Sequence, residues 1–221
     1  MTVDQVYKTL KFIVRKNQLG SLPPSDFQDA FNTAQRNYYD LLVGRIEQYR
    51  YGSAVPRIGL SMTDNLVTRL MPFQKTATLT VSGGLATKPN DFNKLLAMYT
   101  PNNYRVYRIE EDRFAERIQD SIDPVDEANA FYIEQKTNWR IYPTTLNNLT
   151  LKYLYVPINV VWGYTLDGQG RPVYNPATSV QPEWLENDYD EIIARAAKII
   201  GVSLKDQLDI QYGNSVIQTG E

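Results

Sequence analysis

The sequence predicts an α+β fold. Apolar residues recur at helical spacing near both ends of the chain and at spacing two through its middle, and prolines break the stretch before the last helix. Together these describe terminal helices forming a small helical bundle, an inserted antiparallel β module and an extended arm. The divisions fall at 1–72 plus 183–213 for the bundle, 73–157 for the β-rich insertion, 158–182 for the arm or hairpin, and 214–221 for a C-terminal tail.

Thr2-Val3-Asp4-Gln5 has the spacing of a capping box, and Val6, Leu10, Ile13 and Val14 follow it at helical intervals until Asn17 and Gly20. After the rigid Pro23-Pro24 turn, Ser25-Asp26-Phe27-Gln28 repeats the box. It opens a second helix through Phe27, Phe31, Ala34, Tyr38, Leu41, Leu42, Ile46 and Tyr49, stopping near Gly52. A short connection predicts antiparallel pairing of these two helices. Residues 53–60 read as loop. From Met71 the pattern turns to period two, with Thr76, Thr78 and Thr80 alternating with Ala77, Leu79 and Val81 until Ser82-Gly83-Gly84. A short amphipathic stretch at Leu95, Leu96 and Tyr99, a strand over 104–109 and a charged helix over 110–119 come next. Strands follow at 130–135, 138–142 and 149–156, with Lys136-Thr137 as a tight hairpin and 143–148 as a loop. Residues 160–166 and 171–174 flank Asp167-Gly168-Gln169-Gly170, a turn joining two strands of an arm outside any closed core. The last helix runs from Trp184 and Leu185 through Tyr189, Ile192, Ile193, Ala196, Ala197 and Ile200, and on through Leu204, Leu208 and Tyr212 to Gly213.

Composition narrows the chemistry. The 221 residues include no cysteine and no histidine, which excludes a Ser-His-Asp or Cys-His triad, a Cys or His zinc site and Cys-held iron-sulfur clusters. Carboxylates, lysine, tyrosine and oxygen-ligated magnesium or calcium remain. With 23 Lys+Arg against 25 Asp+Glu, the formal charge is −2, so no global basic field draws in nucleic acid. No apolar run approaches the 18 residues of a membrane span, and Met1 leads into Thr2-Val3-Asp4 without a basic segment and apolar core, so a soluble, unprocessed chain is expected. Sixteen tyrosines against seven phenylalanines suit wet interfaces as well as cores.

Ser82-Gly83-Gly84 lacks the lysine and helix start of a phosphate loop, and Asp167-Gly168-Gln169-Gly170 lacks a following helix; both are turns. Asp188, Asp190 and Glu191 are helix first-turn charge rather than a calcium loop. Glu110, Glu111, Asp112 and Glu116 would serve a glycosidase only across the right gap, and the interleaved Arg108, Arg113 and Arg117 favour a solvated helix face. Asp120, Asp123, Asp126 and Glu127 around Pro124 read as an exposed linker. Arg36, Arg45, Arg50, Arg57 and Arg69 with Tyr38, Tyr39, Tyr49 and Tyr51 mix cation and aromatic as single-strand platforms and protein interfaces both do; the interface is favoured. Trp139, Trp162 and Trp184 fit a sugar site, a core or a subunit contact.

The order of phrases resembles the head-to-tail adaptor (connector ring) proteins of tailed bacteriophages, especially the podovirus-like and crAss-like group. The likeness is carried by Val6-Tyr7 to Lys16, Leu22-Pro23-Pro24-Ser25-Asp26-Phe27 to Ala34-Gln35, Asp64-Asn65-Leu66 to Met71-Pro72-Phe73, and Lys88-Pro89-Asn90-Asp91-Phe92. It continues in Trp139-Arg140-Ile141-Tyr142-Pro143, Leu151-Lys152-Tyr153-Leu154-Tyr155-Val156-Pro157, and Trp184-Leu185 to Tyr189-Asp190-Glu191-Ile192-Ile193, Ala196-Ala197, Gly201, Leu204 and Asp206, covering nearly the whole chain.

The resemblance implies a virion protein made in the host cytoplasm. It forms a homo-oligomeric ring, commonly of twelve copies, docked on the portal protein and meeting downstream tail or ring proteins. Genomic double-stranded DNA passes through without sequence-specific binding, and no membrane is involved. Twelve copies at −2 make −24, a tunnel that lets duplex DNA slide. Arg45, Tyr49, Tyr51, Trp162, Tyr164, Tyr174 and Trp184 are the candidate inter-subunit or portal contacts; no catalytic residue, cofactor or metal site is assigned. The alternatives are a secreted or virion carbohydrate-binding or carboxylate glycan-hydrolysing module, and another tail ring protein. Deleting residues 164–176 is expected to impair assembly more than folding.

Overall fold

The computed structural model describes residues 1–16, 22–51, 65–203 and 215. The fold is α+β, with two compact units: Met1–Pro72 with Pro157–Glu221, and Phe73–Val156. In the first unit, α1 (Val3–Lys16) begins with the capping box its sequence promises. Thr2 N donates to Gln5 Oε1 at 2.8 Å and Gln5 N to Thr2 Oγ1 at 3.3 Å, so each satisfies a donor the helix leaves open. The second box does not form. α2 (Pro24–Tyr51) starts two residues earlier than a Ser25 cap would place it, because Pro24, with its fixed φ and missing N–H, takes the first helical position and leaves Ser25 inside the helix. Residues 65–70 form α3.

The last helix enters through a 3-10 turn, Glu186–Asp188, and continues as α5 (Tyr189–Ser203); its expected run to Gly213 lies outside the described residues, as does the loop at 53–60. α5 is the partner of both other long helices, packing against α2 and against α1, whereas Tyr7 of α1 meets Phe27 of α2 through its ring, 5.0 Å away at 70°. The reason is side-chain size: Ala194, Ala196 and Ala197 of α5 are fully buried and allow close helix approach. Val3, Val6, Leu10 and Val14 of α1, Phe27, Phe31 and Leu42 of α2, and Ile192 and Ile200 of α5 complete this core.

The second unit has a three-stranded sheet in the order β1 (Gln74–Thr80), β7 (Asn148–Tyr155), β3 (Phe92–Tyr99), all antiparallel. Its four-stranded sheet runs β2 (Leu85–Thr87), β6 (Asn138–Tyr142), β5 (Phe131–Glu134), β4 (Tyr107–Arg108). The β4–β5 pair is parallel, so this sheet is mixed where the patterning predicts an antiparallel module. Gly83 and Gly84, at φ 57° and 79°, make the two-residue turn that lets Ser82 and Leu85 exchange both backbone hydrogen bonds, which only residues tolerating positive φ permit. Lys136-Thr137 is the expected tight turn, with Gln135 N donating to Asn138 O at 2.9 Å. Leu79, Met98, Trp139, Ile141, Leu149, Leu151 and Tyr153 fill the core of this unit.

Two further expectations fail in the second unit. The stretch around Leu95 is a strand of eight residues; register shifts between Phe92 and Lys94 and between Leu95 and Ala97 break its alternation, so its period is hidden. The strand expected over 104–109 shrinks to a bridge at Arg105 and the two residues of β4. The charged segment is helical as predicted, a 3-10 turn Glu111–Arg113 leading into α4 (Phe114–Gln119).

Candidate functional site

After Pro157 the chain runs extended, and an extended backbone must find partners for its N–H and C=O groups. On one side of residues 158–162 a row of amide side chains on α2 supplies them. Gln35 Nε2 donates to Ile158 O at 2.8 Å, Asn32 Nδ2 to Val160 O at 3.0 Å, and Gln28 Nε2 to Trp162 O at 3.3 Å. Val160 N returns a bond to Asn32 Oδ1 at 2.7 Å, and Arg36 donates to Asn159 Oδ1 at 2.9 Å. Spaced at i, i+4 and i+7, Gln28, Asn32 and Gln35 lie along one helical face and act as a substitute strand edge. Gln35 is fully buried and also accepts from Trp184 Nε1 at 3.2 Å, so its amide is used on both sides.

The arm therefore differs from expectation. Val160 is 0% exposed and Trp162 4%, and residues 158–182 belong to the helical unit. The Trp162 ring lies 4.4 Å from Tyr7, 5.8 Å from Tyr164 and 5.7 Å from Tyr174, and its Nε1 donates to Asp4 Oδ1 at 3.2 Å. Val161 and Val180 exchange backbone bonds where the chain returns.

From this root a two-stranded ribbon extends, β8 (Tyr164–Leu166) paired antiparallel with β9 (Pro172–Tyr174). Asp167 shapes its tip by accepting from Gln169 N and Arg171 N, and Gly170 takes φ 75°. Tyr164, Leu166 and Val173 are exposed.

Gly163 sits where root becomes ribbon. A Cβ there would fall 2.2 Å from Thr178 Oγ1 and 2.6 to 2.7 Å from that residue's backbone carbonyl group, so the position excludes any side chain. Gly163→Ala is expected to cost about 1–3 kcal/mol by overpacking and to loosen the ribbon; urea denaturation and limited proteolysis within 164–174 measure both.

Of the seven candidate contacts, Trp162, Tyr164 and Tyr174 come together at this root. Trp184 does not join them: it is 5% exposed and packs against Tyr38 at 5.2 Å. Burial makes Trp162 and Trp184 supports of the fold, leaving Tyr164 as the exposed member. Arg45, Tyr49 and Tyr51 fall in the last turns of α2, and their side chains lie outside the described residues. Trp139, Trp162 and Trp184 are all buried, so no indole face is open for a sugar to stack on. The amides Gln28, Asn32 and Gln35 went unread in the sequence, although polar residues recurring between the apolar positions of α2 are their signal.

A second polar cluster lies inside the same unit. Tyr38 donates to Asp188 Oδ1 at 2.9 Å, Arg69 Nη1 donates to the Tyr38 hydroxyl at 2.7 Å, and Arg69 Nε is 3.6 Å from Asp188 Oδ1. Burial raises the Asp188 carboxyl above the usual range and Glu191 adds to this, while the Tyr38 bond and Arg69 oppose it. Burial and then the Asp188 charge push the Tyr38 hydroxyl up as well, and Tyr189 is raised to about 12 by burial, Glu186 and Asp188.

In the second unit, Arg108, Arg113 and Arg117 line an open groove of roughly 590 Å³ with Glu110, Glu116 and Asp120. Glu111 pairs instead with Arg140. Among the described residues, no group of three or more acidic side chains is placed to hold a metal ion, and no helix is long and apolar enough to cross a membrane. No protein-family model matches the chain, and neither does any curated protein.

Proposed function

We propose that this chain is a non-enzymatic virion structural protein, one subunit of a head-to-tail adaptor ring that docks on a portal protein and continues the DNA channel towards the tail. The observation that carries the reading is the β8–β9 ribbon. Two strands of three residues each are marginal in water by themselves. This ribbon is fixed at its base by Trp162 yet leaves Leu166 65% and Val173 50% exposed. A rigid base with exposed apolar residues on its strands suits an element that gains its remaining burial from a neighbouring subunit. Shape and side-by-side contact then perform the function, and avidity over many copies makes docking durable.

The full-length protein is expected to sediment as a ring and to add to portal-containing heads. In a Leu166→Ser, Val173→Ser variant, assembly should be lost while the melting temperature stays within about 1 °C, because exposed substitutions change stability little. A wild-type chain that stays monomeric and never joins portal-containing heads overturns the reading. A double variant that assembles normally removes the ribbon from it.

A further inference from the structure

Outside the ribbon, two large apolar side chains are the most exposed among the described residues. Ile122 is 94% exposed in the loop after α4, and Phe12 is 69% exposed on the outer face of α1. Single exposed apolar residues are ordinary, so their surroundings decide what they mean. Phe12 lies beside Lys8 and Lys11 at i−4 and i−1, opposite the buried stripe of Val3, Val6, Leu10 and Val14. With Arg15 and Lys16 counted against Asp4, α1 carries four basic residues and one acidic, a net +3. Residues 110–127 around Ile122 carry eight acidic residues and two basic, a net −6.

Both surfaces are already organised. Asp120 Oδ1 accepts from the backbone N of Ile122 at 3.0 Å and of Asp123 at 3.3 Å, and Arg117 bonds the Asp123 carbonyl and carboxylate, so the loop presents Ile122 in a set conformation. Lys8 is held by Asp4 at 2.6 Å and Lys11 lies over the Tyr7 ring at 5.4 Å. Preorganised surfaces lose little freedom on contact.

We propose that the Phe12 stripe of one copy receives the Ile122 loop of a second copy of this chain. This deepens the ring reading and rests on it. Charge selects the pairing: helix against helix, or loop against loop, would set like charges together, so the two-fold contact is disfavoured and the helix-to-loop contact is favoured. Each copy carries one of each surface. The contact is therefore head to tail and can propagate round an axis until it closes. Ionic strength weakens it, since exposed charges are screened beyond about 8 Å at physiological salt.

The absence of native cysteine makes the test direct. A full-length Phe12→Cys, Ile122→Cys double variant, mildly oxidised, is expected to give a ladder of multimers on a non-reducing gel. Each single variant should stay a monomer band. In the same assay, Lys11→Glu and Glu116→Lys should each weaken assembly about tenfold and together restore it. An uncross-linked double variant that is oligomeric by mass photometry but gives no ladder overturns this contact and leaves the ring reading standing. A dimer band from either single variant means that like surfaces meet, and also overturns it. A monomeric wild type overturns the ring reading and this contact with it.

Discussion

Trp162→Ala is expected to cost about 3–5 kcal/mol and to detach the ribbon, the largest local effect of any substitution proposed for this chain. The indole is buried against Tyr7, Tyr164 and Tyr174 and bonds Asp4, so its loss opens a cavity at the point where the extended chain is held to the helices. The amide bonds from Gln28, Asn32 and Gln35 lie on the helix side and cannot refill that space. Denaturant titration measures the stability loss, and protease cleavage within 164–174 measures ribbon release. Trp184→Ala supplies the contrast: it removes a core residue of similar size that touches Tyr38 and Gln35, and it should destabilise without releasing the ribbon. If Trp162→Ala costs under about 1 kcal/mol, the root is not what fixes the ribbon.

Arg69→Met should be costly at neutral pH and milder in acid. Asp188 is fully buried, its Oδ2 has no hydrogen-bond partner among the described residues, and Arg69 is the cation paired with it. Removing one partner of a buried pair strands the other charge, at about 3–5 kcal/mol; a partly exposed arginine lowers this to about 2–3 kcal/mol. Burial raises the Asp188 carboxyl, so the folded protein holds that proton more tightly than the unfolded chain does. Its contribution thus favours folding below the unfolded carboxyl range and falls as pH rises through the folded value. Taking away the guanidinium raises the folded value further, so the gap between wild type and variant widens from pH 4 to pH 7. Asp188→Asn should behave oppositely, costing less at pH 7 than at pH 4, because it removes a carboxyl whose burial costs more as pH rises. Guanidinium melts at the two pH values separate the outcomes, and a pH-independent gap for both variants removes Asp188 from the account.

Much of the fold was legible where local rules and tertiary packing agree. The Thr2 to Gln5 cap, the Gly83-Gly84 turn, the Lys136-Thr137 turn and the alternation of β1 each depend on residues within a few positions, and each is found. Bulges in β3 hid a strand because register shifts erase the period by which strands are recognised. Ser25 lost its capping role to Pro24, a competition between two valid helix starts. The ribbon and its turn were visible in the spacing around Asp167-Gly168-Gln169-Gly170, but its root was not. Gln35 meets Ile158 across 123 positions and Asn32 meets Val160 across 128, and no short-range pattern encodes such pairings. Trp162 and Trp184 have the same local character in sequence, yet only the first supports the ribbon.

α2 and its partner α5 are separated by well over a hundred residues, with the whole β unit between them. On the ribosome, at roughly 5–20 residues per second, the apolar stripe of α2 waits several seconds or more for its complement, while the strands between can pair as they emerge. In that interval the nascent chain carries two helices whose apolar stripes are uncovered, an exposure that ends only once α5 has emerged through Ser203.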